Sequence, residues 1–201
     1  MERSDLLLSR DRSVLIVVDM QEPFLSMIKV RDLIERNIAF LLQVAKLLNV
    51  PILATLQNAE RLGGVVPALQ TLLPEQPAPI DKLCFSCLGA ESFARALQET
   101  GRQQVVLTGI EAHICIMQTA LDLLKAGYRV HVPYDAVASR GKPEWKYALL
   151  RLQHAGAVVT SVESVTYEWL YQAGTEEFRQ LLPLIKEREQ ILRKKHEEAD
   201  E

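Results

Sequence analysis

The chain has 201 residues, 48% of them apolar and 24% charged, and a formal charge of −3 at neutral pH. This is ordinary usage for a single globular domain long enough to bury a core. It excludes a general basic footprint for nucleic acid, and no apolar run nears the ~20 residues that span a bilayer, so neither nucleic acid nor membrane is an expected partner.

Three cysteines are too few for a disulfide scaffold, and their odd number suits a reducing compartment. The opening MERSDLLLSRDRS holds only a three-residue apolar run, unlike a secretory leader. The expected location is the cytoplasm.

Ser13 to Asp19, SVLIVVD, is a continuous apolar run that predicts a parallel strand covered on both faces and ending in a carboxylate. In parallel sheets ligands collect at the carboxyl ends of strands, which makes Asp19 a candidate. Met20 to Phe24 is predicted as a loop, because Pro23 opposes helix continuation. From Arg31 to Leu48, Leu33, Ile34, Ile38, Leu41, Leu42, Ala45 and Leu48 recur at helical spacing.

Pro51 to Thr55 predicts a second strand, followed by a Gly- and Pro-containing loop, LQNAERLGGVVPAL. Leu72 to Pro79 holds three prolines and reads as an irregular connection; Ile80 to Leu83 is a brief strand, and Ser86 to Thr100 leads into a helix. Val105 to Leu107 predicts a buried strand bounded by Gly109, after which Ile114, Met117, Leu121 and Leu124 mark a helix stopped by Gly127. Cys115 falls in the first turn of that helix, where backbone N–H groups and the macrodipole favour a thiolate.

Arg129 to Val132 is the next strand, with Asp135, Ser139 and Arg140 on its exit loop. Glu144 to His154 is a helix, and Ala157 to Thr160 a last strand. About six alternations of strand and helix define an α/β fold: one doubly wound, Rossmann-like domain over residues 1–174, with a mainly parallel sheet and helices on both faces.

Residues 175–201 form a charged helical extension. Glu176 to Leu182 suits a short helix that Pro183 either breaks or restarts, and Leu184, Ile185, Ile191 and Leu192 offer an apolar face for a neighbouring subunit.

Three chemistry-bearing residues, Asp19, Lys82 and Cys115, lie at or just past strand ends, so one edge of the sheet can gather them. A thiolate attacks a carbonyl carbon, a lysine stabilises it and a carboxylate moves the proton. Cys84-Phe85-Ser86-Cys87 is a CxxC, readable as a redox dithiol or as core packing; a zinc site would need two more ligands, and no second CxxC or HxxxH exists. His113 is placed to line a pocket, as are Phe24, Gln57 and Phe85, an apolar wall with one amide.

VLIVVDMQEPF, Lys82 before CFS, and TGIEAHICIMQTALDLLKAGYRVHVPYDAVAS together resemble the isochorismatase-like cysteine hydrolase superfamily, over roughly Ser13 to Leu170. ATLQNAERLGGVVPAL and KLCFSCL are most similar to its isochorismatase-domain-containing subgroup.

The resemblance implies a catalytic Asp19, Lys82 and Cys115. It also implies a cis peptide between Ile110 and Glu111, an oxyanion hole from the N–H groups of Glu111 and Cys115, and a homo-oligomer. Nicotinamidase-type members hold a metal through an Asp and a His after the second strand. This chain has Leu56-Gln57-Asn58 there, so no metal or cofactor is expected.

The expected function is metal-independent hydrolysis of a small amide or related carbonyl compound. The alternative is a non-catalytic or redox-responsive oligomer that keeps the fold.

Overall fold

A computed structural model describes residues 3–200, with side-chain surroundings described as far as residue 191. The chain runs β1 (Ser13–Val18), α1 (Glu22–Leu25), α2 (Arg31–Leu47), β2 (Ile52–Gln57), α3 (Ala59–Leu62), α4 (Pro67–Gln70), β3 (Ile80–Lys82) and α5 (Glu91–Glu99). It continues through β4 (Gln104–Ile110), α6 (Met117–Lys125), β5 (Arg129–Pro133), β6 (Val137–Ala138), α7 (Lys142–His154), β7 (Val158–Thr160), α8 (Val162–Leu170) and α9 (Glu176–Asp200).

The strands form one sheet in the order β3-β2-β1-β4-β5-β7, with β6 beside the end of β4, and all pairings are parallel. All six residues of β1 are buried. Leu15 and Val17 enter a core with α2, α8 and α9 on one face, while Val14, Ile16 and Val18 enter a core with α5, α6 and α7 on the other. Burying such a side chain stabilises the fold by about 1.5–3 kcal/mol, which is why the central strand reads as an unbroken apolar run.

The chain winds outward from β1 through β2 to β3, then returns to place β4 on the other side of β1. The space above the carboxyl ends of β1 and β4 is therefore a topological switch point, where ligands bind in open parallel sheets. Register sets the contents of that space. Val18 lies opposite Thr55 on one side and Gly109 on the other, and Gln57 lies opposite Lys82. Gly109 has φ +113°, and a Cβ there would sit 2.1 Å from the Val18 carbonyl oxygen. Only glycine permits this approach.

Several local expectations are corrected. Met20 to Phe24 is not all loop: Pro23 sits at the start of α1, where its missing N–H costs nothing. The segment after β2 contains the short helices α3 and α4. A 3₁₀ turn, Cys87–Gly89, precedes α5, and a five-residue π turn, Ala112–Ile116, precedes α6.

Beyond the expected six strands, β6 is a two-residue strand lodged against Gly109 and Ile110. It is too short for any periodicity. Helix α8 was not expected either, although Ser161 caps it by accepting from the Ser164 N–H. Pro183 neither ends nor restarts α9 but lies within it. Leu181 and Ile185 of that helix are buried in the chain's own core, so Ile185 is not free for a neighbouring subunit. The side chain of Leu192 lies outside the described residues.

Candidate active site

Asp19, Lys82 and Cys115 reach the switch point from just past the ends of β1, the edge strand β3 and β4. Asp19 follows β1 in a left-handed conformation, φ 53°, and is 1% exposed. Its Oδ1 accepts from Thr55 Oγ1 at 2.7 Å and its Oδ2 from Lys82 Nζ at 2.7 Å. Lys82 closes β3 with its side chain fully buried. It also donates to Gln57 Oε1 at 2.7 Å and reaches the carbonyls of Cys84 and Phe85 at 3.3 Å.

Burial by itself disfavours the ammonium, but the Asp19 carboxylate foremost outweighs it and raises the lysine pKa. Removing one partner of such a buried pair typically costs about 3–5 kcal/mol, because it strands a desolvated charge.

Cys115 comes from the π turn and is 6% exposed. The Glu111 carbonyl accepts from both Ile114 and Ile116, at 3.1 and 3.2 Å, and so fixes that turn. Burial foremost, then the Asp19 charge, push the thiol well above its ordinary range, and Lys82 only partly offsets them. This corrects the expectation that helix position and Lys82 would leave a resting thiolate. The carboxylate already neutralises the lysine, so ionising the thiol as well would give the buried site a net negative charge.

The peptide between Ile110 and Glu111 is cis. The Glu111 carboxylate is buried against Arg140 Nε at 3.1 Å and His113 Nδ1 at 3.3 Å, and His113 Nδ1 pairs with Ser139 Oγ at 2.9 Å. His113 is thus tied to two neighbours.

Gln57 is likewise committed inside the protein, accepting from Lys82 and donating to the Leu83 carbonyl at 2.8 Å. Its amide thereby braces the lysine. Phe24 is half-buried against the α2-side core, and Phe85 is 52% exposed with its carbonyl turned to Lys82.

Of the CxxC pair, Cys87 is fully buried, its thiol pushed up to about 11 by burial, while Cys84 is half-buried rather than in the core. All three cysteines are free thiols.

Sequence reasoning missed Thr55, which orients Asp19, and Gln21. Gln21 Oε1 accepts from the Gln57 N–H at 2.8 Å, and its Nε2 donates to the Gly63 carbonyl at 2.8 Å. A polar residue inside the apolar run PILAT was the available signal for Thr55; nothing local marked Gln21.

A doubly wound parallel sheet with a buried Asp–Lys pair beside a cysteine at its switch point defines an isochorismatase-like hydrolase fold. The Isochorismatase domain family model matches residues 13–164, and the chain belongs to that family.

It is 39% identical over 178 residues to the secreted isochorismatase effector Isc1 of Phytophthora sojae, covering 87% of this chain and 85% of that one. It is 38% identical over 176 residues to human isochorismatase domain-containing protein 2, covering 87% and 83%.

Among solved structures it resembles the MAR1 ribonuclease from Caenorhabditis elegans, with TM-score 0.83, 34% identity and coverage of 89% and 92%. The Escherichia coli YcaC gene product, described as an octameric hydrolase of unknown specificity, gives TM-score 0.78, 25% identity and 85% coverage of each chain. A cysteine hydrolase from Pseudomonas syringae shares the fold, with TM-score 0.71, 20% identity and coverage of 83% and 98%.

The donor set after β2 does not fit a metal. Gln57 is engaged with Lys82, and Asn58 begins α3 in a left-handed conformation. Among the described residues no group of three His, Cys, Asp or Glu side chains is arranged to hold a metal ion.

Proposed function

We propose that this chain is a cysteine hydrolase of small amides or related carbonyl compounds, with Cys115 as nucleophile, Asp19 as general base and Lys82 as the fixed counter-charge. The observation that carries this reading is the fully buried 2.7 Å contact between Lys82 and Asp19, whose charges both act on the Cys115 thiol.

With substrate present, the thiol proton passes to Asp19 as the sulfur bonds to the carbonyl carbon, and the carbonyl electrons move to oxygen. Site charge stays constant in this transfer, because the proton stays within the site and the negative charge moves from Asp19 to the carbonyl oxygen. The N–H groups of Glu111 and Cys115 are assigned to the oxyanion, where one such donor is typically worth about 10²–10³ in rate. Collapse expels the leaving group with the proton from Asp19. Water, deprotonated by Asp19, then attacks the acyl carbon and releases a carboxylic acid and the thiol.

The high thiol pKa predicts that the alkaline limb of kcat/KM against pH lies above the ~8.5 of a free cysteine. Asp19→Asn tests the division of labour. It removes the charge that, after burial, does most to raise the thiol and leaves Lys82 to lower it, so haloacetamide alkylation of Cys115 is expected to accelerate at pH 7 while hydrolysis is lost. Slower alkylation together with retained hydrolysis would contradict the assignment.

Assembly as a homo-oligomer belongs to the same proposal, supported by the octameric description of the YcaC structure. A reducing, cytoplasmic setting is supported by the three free thiols. Among the described residues no helix is long and apolar enough to cross a membrane. The ribonuclease name of the C. elegans structure is not carried over, because the net charge of −3 gives no general footprint for RNA.

A further inference from the structure

On the far side of Ser139 and Arg140 lies a concavity of about 400 Å³, lined mostly by apolar surface. Its walls come from the start of α2 (Val30, Leu33, Ile34), from β6 (Val137, Ala138) and from Trp145 of α7. Trp145 is held in place by its Nε1 donating to the Tyr134 carbonyl at 3.1 Å, and its ring meets that of Tyr134 edge-on at 6.4 Å.

Lys29, Arg140 and Lys142 stand around it. Arg140 is paired with Glu111, whereas the exposed Lys29 and Lys142 have no ion-pair partner among the described residues. The acid in the lining, Asp135, is already paired with Arg188 at 3.1 Å and accepts from the Val162 N–H. Glu144, at the start of α7, folds back over Gly141.

An apolar, aromatic wall of ligand-pocket size with unpaired cations at its rim suits one chemistry: an apolar body carrying an anionic end. We propose that this concavity binds a small amphipathic carboxylate, with its hydrocarbon or aryl part against Trp145, Leu33 and Val137 and its carboxylate between Lys29 and Lys142. The size fits a molecule of about ten to fifteen heavy atoms rather than a protein segment. Ser139 and Arg140, which hold His113 and Glu111, also form part of its lining, so such a ligand would lie next to the nucleophile's turn.

The test is fluorescence titration of the full chain with 4-phenylbutyrate, its neutral amide and butyrate, reading Trp145 emission with Trp145→Phe as the blank. The proposal predicts a saturable change with 4-phenylbutyrate and little with the other two. Lys29→Gln and Lys142→Gln each weaken binding about fivefold, the equivalent of ~1 kcal/mol for one partly exposed charge contact.

Equal binding of the amide, or unaltered binding in both lysine variants, would overturn it. So would absence of any saturable change, or a solution oligomer that Trp145→Glu dissociates, since a second copy would then fill the concavity. Binding requires no chemistry at Cys115, so Cys115→Ala must retain it. Failure here is thereby distinguishable from failure of the hydrolase reading.

Discussion

Lys82 carries the heaviest electrostatic load of any side chain in the site. It has three N–H donors and four oxygen acceptors around it, one of them the Asp19 carboxylate. Lys82→Met keeps the bulk but leaves that carboxylate buried without its counter-charge, with an expected loss of about 3–5 kcal/mol in urea unfolding.

His131 of β5 offers a separate test. It is 2% exposed, its Nδ1 has no partner among the described residues, and burial, helped by Arg129, lowers its pKa from 6.5 to about 4. The unfolded chain therefore binds a proton between those two values and the folded chain does not. The contribution is complete above pH 6.5 and is lost as pH falls toward 4, roughly 2 kcal/mol of it between pH 7 and 5. Urea unfolding of the wild type against His131→Leu at both pH values checks this, and the variant should lack that part of the acid destabilisation.

At the scale of elements, the junction of β1 with β4 and the docking of α9 are the points where position becomes function. Gly109→Ala would drive a Cβ into the Val18 backbone immediately before Asp19, and backbone cannot move aside as a side chain can. The expected result is a drop in Tm of several degrees together with loss of turnover.

Helix α9 is fastened by Arg188, which pairs with Asp135 and lies over the Phe40 ring at 5.6 Å. Asp135 also holds the first N–H of α8, and its carbonyl accepts from Asn37 Nδ2 at 2.6 Å. Arg188→Met should thus destabilise by about 2–4 kcal/mol by leaving the Asp135 carboxylate without its ion-pair partner. Asp135→Asn in that background should recover part of the loss, a rescue that a purely packing role for Arg188 would not give.

The elements differ in how legible they were in sequence. Continuous apolar runs announced β1 and the core of β4 because those strands are buried on both faces. The periodicity of α2 survived to within one residue. Strand β6, the π turn and α8 were not readable: two residues carry no period, a π turn has no composition of its own, and α8 exists because its inner face meets the core that α2 and α9 complete.

For the whole molecule, the same division holds at the site. Asp19, Lys82 and Cys115 could be named because strand ends in a parallel sheet are where chemistry collects, and the resemblance set their order. What the sequence could not reveal was their mutual charge state. Cys115 was expected as a resting thiolate on the strength of its helix position and a nearby lysine. In the folded chain desolvation foremost, and then the Asp19 charge, raise the thiol, and Lys82, already paired with Asp19, only partly offsets them.

The tie between Gln57 and Lys82 was out of reach of the sequence for a related reason. An amide after a strand looks available for substrate until the third dimension places a buried ammonium 2.7 Å from it.

The central claim, that Cys115 becomes acylated through Asp19, is tested most directly by rapid quench and peptide mass mapping after mixing with 4-nitrophenyl acetate. The account predicts an acetyl group on Cys115 that forms first and disappears as acetate accumulates. An unmodified Cys115 with the acetyl group on half-buried Cys84, or ester turnover at the wild-type rate by Cys115→Ala, would contradict it.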